Sequence, residues 1–246
     1  QMIQNIRNSY LPPSEQRRQL DFVPQLNTLH SSNIQREAAL ETRLQSYETA
    51  FRMQTEATDA FDILKENQAV RDAYGNTNTG RQLLIARRLV ERGVRVVQVW
   101  HDGWDHHQDL QERLTAKAAE IDQPLAALLG DLKQRGLLDS TLVIWGGEFG
   151  RKPTKDRNGY DNPGRDHKAK AFTTVMAGGG IKGGTVHGAT DELGAAAITD
   201  KVHVHDLHAT ILNRLGFDHT RLTYRFNGRD FRLTDNAGVV VQDILA

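Results

Sequence analysis

The stretch TLVIWGGEFGR, residues 141–151, decides the expected fold. Residues 141–145 form a short apolar run rich in β-branched side chains, which predicts a buried strand that ends in glycines and polar residues. A helix is predicted from Leu110 to Arg135, closed by Gly136, although Pro124 is expected to kink it or split it in two. A helix that leads through glycine into a buried strand is typical of a parallel sheet covered by helices.

The same alternation occurs on both sides of this stretch. Upstream, a helix at residues 83–90 is followed by Gly93 and a predicted strand, residues 94–100. Downstream, residues 171–176 predict a third strand, and the tail alternates apolar runs with turns that suit edge strands. Further helices are predicted at residues 34–51, with N-caps at 31–33, at 57–67, and at 206–216, with Asp206 as N-cap and Gly216 as the end. We therefore expect an α/β fold.

Length and composition limit the classes of function. The chain has 246 residues, which suits a single domain over residues 1–246 with a helical subregion at 31–67. Lys plus Arg equals Asp plus Glu at 31 each, so nothing predicts a nucleic-acid partner, and no apolar run is long enough for a membrane span. There is no cysteine, so a metal would be held by His, Asp and Glu. The polar, proline-bearing start of the chain suggests that an N-terminal part of the domain is missing.

Three clusters of histidine, carboxylate and arginine lie next to the predicted strands. Asp105 and His107, one residue apart on a loop, could face the same cation, whereas His106 should point elsewhere. Glu148 and Arg151 follow the second strand, and the sequence GRDH at 164–167 precedes the third. Ligands gather at the carboxyl ends of strands in open α/β sheets, so the first two clusters could converge on one site, with the third reaching it from a loop.

Each cluster also has a plainer interpretation. The histidine-rich loop could simply hydrogen-bond backbone groups, Glu148 could form an ion pair with Arg151, and residues 155–170 could be a solvated charged loop. His187 could reach the site, but a lone histidine at a turn is more often structural. The motifs of nucleophile elbows, phosphate-binding loops and zinc-protease helices do not occur.

The clusters and the short sequence motifs around them resemble those of the bacterial domain-of-unknown-function family 1501, which is grouped with the sulfatases and alkaline phosphatases. The resemblance rests on LIARRLVERGV (84–94), WDHH (104–107), GEFGR (147–151), GRDH (164–167), AGGGIKGG (177–184) and GATDE (188–192), and it runs from about Asn5 to the C-terminus. It implies an alkaline-phosphatase-like α/β/α sandwich with a mostly parallel sheet, of which this chain is the C-terminal portion.

The resemblance also implies roles for single residues. Asp105, His107 and His167 match the ligands of one divalent metal in the wider superfamily. A second metal would take an Asp-His pair where this chain has Glu148-Phe149, and phenylalanine cannot replace the histidine ligand. The nucleophile would lie upstream, outside this chain.

These expectations define a metal-dependent hydrolase of phosphate or sulfate esters, acting on a small-molecule or glycan ester. Zinc is the expected ion, with manganese or calcium as alternatives, held by Asp105, His107, His167 and Glu148. Arg151 and Arg165 would offset anionic charge during the reaction. The alternative is a non-enzymatic binding protein on a degenerate hydrolase scaffold, recognising a glycan or a cell-surface partner. Family members often carry export signals, so an extracytoplasmic location, periplasmic or exported, is expected, although no signal is visible in this chain.

Overall fold

The computed structural model describes residues 10–31, 38–155, 159 and 161–246. Six α-helices lie in this part of the chain: α1 (Pro13–Ser31), α2 (Ala38–Phe61), α3 (Gln68–Tyr74), α4 (Asn78–Glu91), α5 (Leu110–Gln134) and α6 (Val204–Arg214). The strands are short: β1 (Val143–Gly146), β2 (Gly150–Arg151), β3 (His167–Lys168), β4 (Thr174–Ala177), β5 (Ala189–Thr190), β6 (Ala197–Thr199), β7 (Thr223–Phe226) and β8 (Arg229–Arg232).

The strands pair in four separate antiparallel ribbons, β1 with β4, β2 with β3, β5 with β6, and β7 with β8. No parallel pair occurs among the described residues, so the predicted alkaline-phosphatase-like α/β/α sandwich with a mostly parallel sheet is wrong. A parallel pair needs a crossover connection, usually a helix. Between β1 and β4 the described chain has no helix; it returns through the short β2–β3 ribbon and pairs β4 in the opposite direction.

Two of the three predicted strands form in part. Residues 143–146 pair with 174–177 in the register Val143 to Ala177, which places a strand at each of the two downstream positions. Residues 94–100 are not a strand, and this prediction is wrong. Val96 and Trp100 are 75% and 78% exposed, so the apolar run is not buried between sheet neighbours.

The chain divides into two compact units. One comprises the described residues up to Arg71 together with Leu84–Gln98. Its buried side chains come from two places, Ala60 near the end of α2 and residues 84–88 of α4. Arg87 and Arg88 are among them and pair with Glu66, so this core contains charge as well as apolar packing. The predicted end of α4 before Gly93 is confirmed, since the helix ends at Glu91.

The other unit comprises Asp72–Leu83 and Val99–Ala246. Its central element is α5, whose buried residues Ile121, Leu128 and Leu132 recur along one face of the helix. The helix runs on through Pro124, so the predicted split does not occur. Tyr74 donates a hydrogen bond to Asp131 of α5 at 3.1 Å.

The N-cap of the last helix lies three residues before the predicted position. The N-cap of α6 is His203, whose Nδ1 accepts from the His205 amide at 3.3 Å, and Asp206 is the third helical residue. The Asp206 carboxylate accepts from the His203 amide at 2.9 Å, which completes a capping box. The prediction of Asp206 as the N-cap was therefore wrong in position, although its capping role is real. Gly216, with φ of 84°, follows the end of this helix as predicted.

The N-caps predicted at Ser32 and Asn33 lie outside the described residues. The predicted tail strands correspond to the β7–β8 hairpin, which turns at Asn227 and Gly228. Both turn residues have positive φ, which suits a two-residue hairpin turn. Among the described helices, none combines the length and apolar character that crossing a membrane requires.

Candidate metal centre

Two backbone segments run side by side and carry the site. The amide of Gly164 donates to the His107 carbonyl at 2.8 Å, and the amide of Arg165 donates to the His106 carbonyl at 3.0 Å. A Cβ on Gly164 would stand 2.0 Å from the His106 carbonyl oxygen, so only glycine permits this approach. The sequence therefore joins the WDHH and GRDH segments through their backbones.

A second pairing positions the remaining two side chains. Strands β2 and β3 place Arg151 opposite His167, and the Lys152 amide donates to the Asp166 carbonyl at 2.7 Å. The Asp166 carboxylate accepts from the amide of His167 at 2.8 Å and pairs with Lys152 at 2.5 Å. His167 is thus fixed at its backbone from both sides.

The ligand atoms of Asp105, His107 and His167 converge. His167 Nε2 lies 2.8 Å and His107 Nε2 lies 3.0 Å from the same oxygen, Asp105 Oδ1, and the two Nε2 atoms are 3.2 Å apart. The triangle brings together three of the four residues that were expected to hold the metal.

The donor set fits a divalent ion. A tetrahedral zinc held at about 2.0–2.1 Å separates its ligand atoms by about 3.3 Å, slightly more than the distances in this triangle. Two imidazole nitrogens that both carry protons repel at such a distance, whereas unprotonated nitrogens can share one cation. One oxygen and two nitrogens suit zinc or manganese better than calcium, which prefers oxygen ligands.

Arg151 contacts the same oxygen. Its Nη2 lies 2.6 Å from Asp105 Oδ1 and also donates to the Trp104 carbonyl at 3.2 Å, while Nη1 donates to the Arg165 carbonyl at 3.1 Å. The predicted ion pair between Arg151 and Glu148 is not what the structure shows: Arg151 pairs with Asp105 instead. Arg151 thus lies next to the candidate metal ligands.

The electrostatics keep the carboxylate charged. The contact with His167, then that with Arg151, lowers the pKa of Asp105 to about 2 against a slight opposing effect of burial. Burial first and the charge of Arg151 second lower the pKa of the neighbouring His106 as well, which favours the neutral imidazole. A carboxyl group must be deprotonated to bind a metal ion, and Asp105 is deprotonated in neutral solution.

The other predicted site residues lie outside the triangle. His106 is buried, does not join the group, and its Nε2 has no hydrogen-bond partner in the described part of the chain. The guanidinium of Arg165 donates to the Pro153 carbonyl, and Glu148 is exposed and not part of the group, so their predicted roles stay predictions. His187 is also absent from the group.

Two features of the site have no signal in the sequence. Trp104 Nε1 donates to His101 Nδ1 at 2.9 Å, and His101 Nε2 lies 3.1 Å from Glu120 of α5, which ties the WDHH loop to that helix. The Phe149 ring packs against the imidazole of His167, with ring centroids 4.6 Å apart. The contacts of His101 with Glu120 and of Phe149 with His167 join residues far apart in the chain, so no local pattern could have predicted them.

The triangle and its arginine define the class of site, a His/Asp cluster that could hold a divalent metal ion. The chain belongs to the family described as "Protein of unknown function (DUF1501)", which it matches over residues 1–245. The predicted family is thereby confirmed. No curated protein and no solved structure gave a match.

Proposed function

We propose that this chain binds a divalent metal ion through Asp105, His107 and His167 and hydrolyses phosphate or sulfate esters. The observation that carries the proposal is the triangle of ligand atoms on Asp105 Oδ1 and the two Nε2 atoms. Zinc is the expected ion, with manganese or calcium as alternatives.

The side chains around the triangle have separate tasks in this proposal. When bound, a divalent ion supplies Lewis acidity that polarises an ester or lowers the pKa of water. Asp105 supplies the anionic ligand, and the two imidazoles supply neutral lone pairs. Arg151 donates to anionic ester oxygens, and Arg165 is the second candidate for that task.

The site is open enough to admit an ester. The side chains of Asp105 and His167 are 63% and 46% exposed, so a substrate could approach the ligand atoms without rearrangement of the core. The expected extracytoplasmic location belongs to the same proposal, and fractionation of cells that produce the protein tests it.

Metal analysis and turnover test the proposal together. We expect the full chain to take up about one zinc ion, and His167→Ala to weaken zinc binding by at least roughly 100-fold, because even residues that only hydrogen-bond to a metal ligand are worth about 10- to 100-fold in affinity. His208→Ala is the matched control, since His208 lies on α6 and is not in the group. Hydrolysis of aryl phosphate and aryl sulfate should require added metal and should fall in His167→Ala.

A binding protein without catalysis is the second candidate. It is favoured by Phe149, whose ring occupies the space against His167, next to an exposed Glu148 that does not join the group. Zinc uptake without turnover of either ester would support this candidate, whose partner would be a glycan or a cell-surface molecule. Failure to bind zinc, manganese or calcium would remove the hydrolase.

A further inference from the structure

Arg151 and a metal ion would compete for one atom. Asp105 Oδ1 is the oxygen that both imidazoles approach, and it is also the oxygen that Arg151 Nη2 contacts at 2.6 Å. A cation placed between the three ligand atoms would draw this oxygen's charge away from the guanidinium. The two cations would then lie close together and repel each other.

The guanidinium would nevertheless stay beside the metal. Its two carbonyl contacts, to Trp104 at 3.2 Å and Arg165 at 3.1 Å, do not involve Asp105. Its side chain is 28% exposed, so solvent or a ligand can reach it. When the metal takes Oδ1, Arg151 therefore has a donor that needs a new acceptor.

The net charge of the site indicates which kind of acceptor would bind there. A divalent ion contributes +2, Arg151 +1 and Asp105 −1, and metal-bound imidazoles are neutral, so the loaded site carries a net charge of about +2. A phosphate monoester carries about −1.5 to −2 near neutral pH and presents three acceptor oxygens. A sulfate ester carries a single negative charge and leaves the site half neutralised.

We propose that Arg151 couples metal binding to the binding of a dianionic tetrahedral oxyanion, with the anion replacing Asp105 Oδ1 as the acceptor of Nη2. The inference rests on the proposed function and narrows its substrate class to phosphate monoesters over sulfate esters. By linkage, the anion tightens metal binding by the same factor by which the metal tightens anion binding.

Calorimetric titration of the full chain with zinc chloride tests the coupling. The titration is performed at constant ionic strength and about pH 8, alone, with phenylphosphonate and with benzenesulfonate, two non-hydrolysable anions of similar shape that differ in charge. We expect phenylphosphonate to tighten zinc binding roughly tenfold, within the usual range of coupling between sites, and benzenesulfonate to have a smaller effect.

Variants assign the coupling to Arg151. Arg151→Gln should bind zinc alone more tightly than the unaltered chain, because the competitor is gone, and should lose the phosphonate enhancement. Arg151→Lys keeps the charge and should retain part of the enhancement, while circular dichroism checks the folding of both. Arg113→Gln is the matched control, because Arg113 of α5 pairs with Asp109, the N-cap residue of that helix, and not with Asp105.

The outcomes separate the two proposals. If none of zinc, manganese and calcium binds, the proposed function and this inference are overturned together. Zinc binding that phenylphosphonate does not tighten, or tightens equally in Arg151→Gln, overturns only the inference. Weaker binding of zinc alone by Arg151→Gln would show that Arg151 positions Asp105 and does not compete for it, which also contradicts the coupling.

Discussion

Arginine and carboxylate side chains cluster in both compact units, but the two clusters differ in burial. In the first unit, Arg87 and Arg88 are 1% and 5% exposed, and both pair with Glu66. Arg88 also donates to the backbone carbonyls of Ala60 at 2.9 Å and Asp59 at 2.8 Å. In the second unit, Arg151 pairs with an Asp105 that is 63% exposed.

The difference in burial decides whether an arginine–carboxylate pair can exchange partners. Burial alone would raise the pKa of Glu66, but the bonds from Arg87 and Arg88 outweigh it and keep the pKa below its usual value. Exchange of partners there would expose buried charge to an apolar surrounding, which costs several kcal/mol. The exposed pair can change partners at small cost, because water replaces whatever is lost. The same residue types therefore hold one region together and leave the other able to bind.

Glu66→Ala is expected to have the largest effect on this comparison. It removes the carboxylate that faces two buried guanidinium groups, and truncating one partner of a buried ion pair costs about 3–5 kcal/mol. Urea unfolding followed by circular dichroism measures the loss. Asp230→Ala is the control, because its pair with Arg225 is exposed on the β7–β8 hairpin and should contribute little. Equal losses in the two variants would contradict the distinction.

How far the sequence predicted the molecule depends on the range of the interactions. The helix at 110–135 follows from local periodicity, and the grouping of Asp105, His107 and His167 followed from the family resemblance of short motifs. Strand direction was mispredicted, because it depends on how β1 meets β4 across a connection without a helix.

The partners of the arginines were also beyond the sequence. Glu148 is three residues from Arg151 and was its partner in the plainer interpretation, but the β2–β3 ribbon and the approach at Gly164 bring Asp105 to it instead. Only tertiary pairing decides between two carboxylates of equal chemistry. A glycine that tolerates no Cβ, such as Gly164, marks such a pairing but does not name the partner segment.

The pKa of Asp105 is expected to change in variants of its two partners, and this effect is smaller than that of Glu66→Ala. The Asp105 pKa of about 2 lies below the ordinary 3.8, so its contribution to stability is present above about pH 4 and is lost as the pH falls toward 2. We expect His167→Ala to raise this pKa, and Arg151→Gln to raise it somewhat less, because the contact with His167 is the larger cause. Carbon-detected NMR of the labelled carboxyl group measures each value.

The titration has its own control in a second aspartate of the same unit. The hydrogen bonds from Thr220 lower the pKa of Asp218. Neither variant changes Thr220, so the pKa of Asp218 should not change. If the pKa values of both aspartates change together, the variants have altered the fold and not only the contacts of Asp105. An unshifted Asp105 in both variants would mean that neither His167 nor Arg151 holds the carboxylate ionised.

Phe149→Leu is expected to have the smallest effect, and it tests whether apolar packing supports the exposed cluster. The Phe149 ring lies against His167 with ring planes at 43°, and an aromatic pair is worth about 0.5–1.5 kcal/mol beyond its buried area. If that energy holds the imidazole in place, Phe149→Leu should weaken zinc binding by roughly two- to tenfold in calorimetric titration. The matched control is Phe231→Leu, whose ring stacks on Tyr224 in the β7–β8 hairpin and not on a ligand of the triangle. Unchanged zinc affinity in Phe149→Leu would show that the backbone pairing of β2 with β3 is sufficient to position His167, and that the exposed cluster owes nothing to the apolar contact.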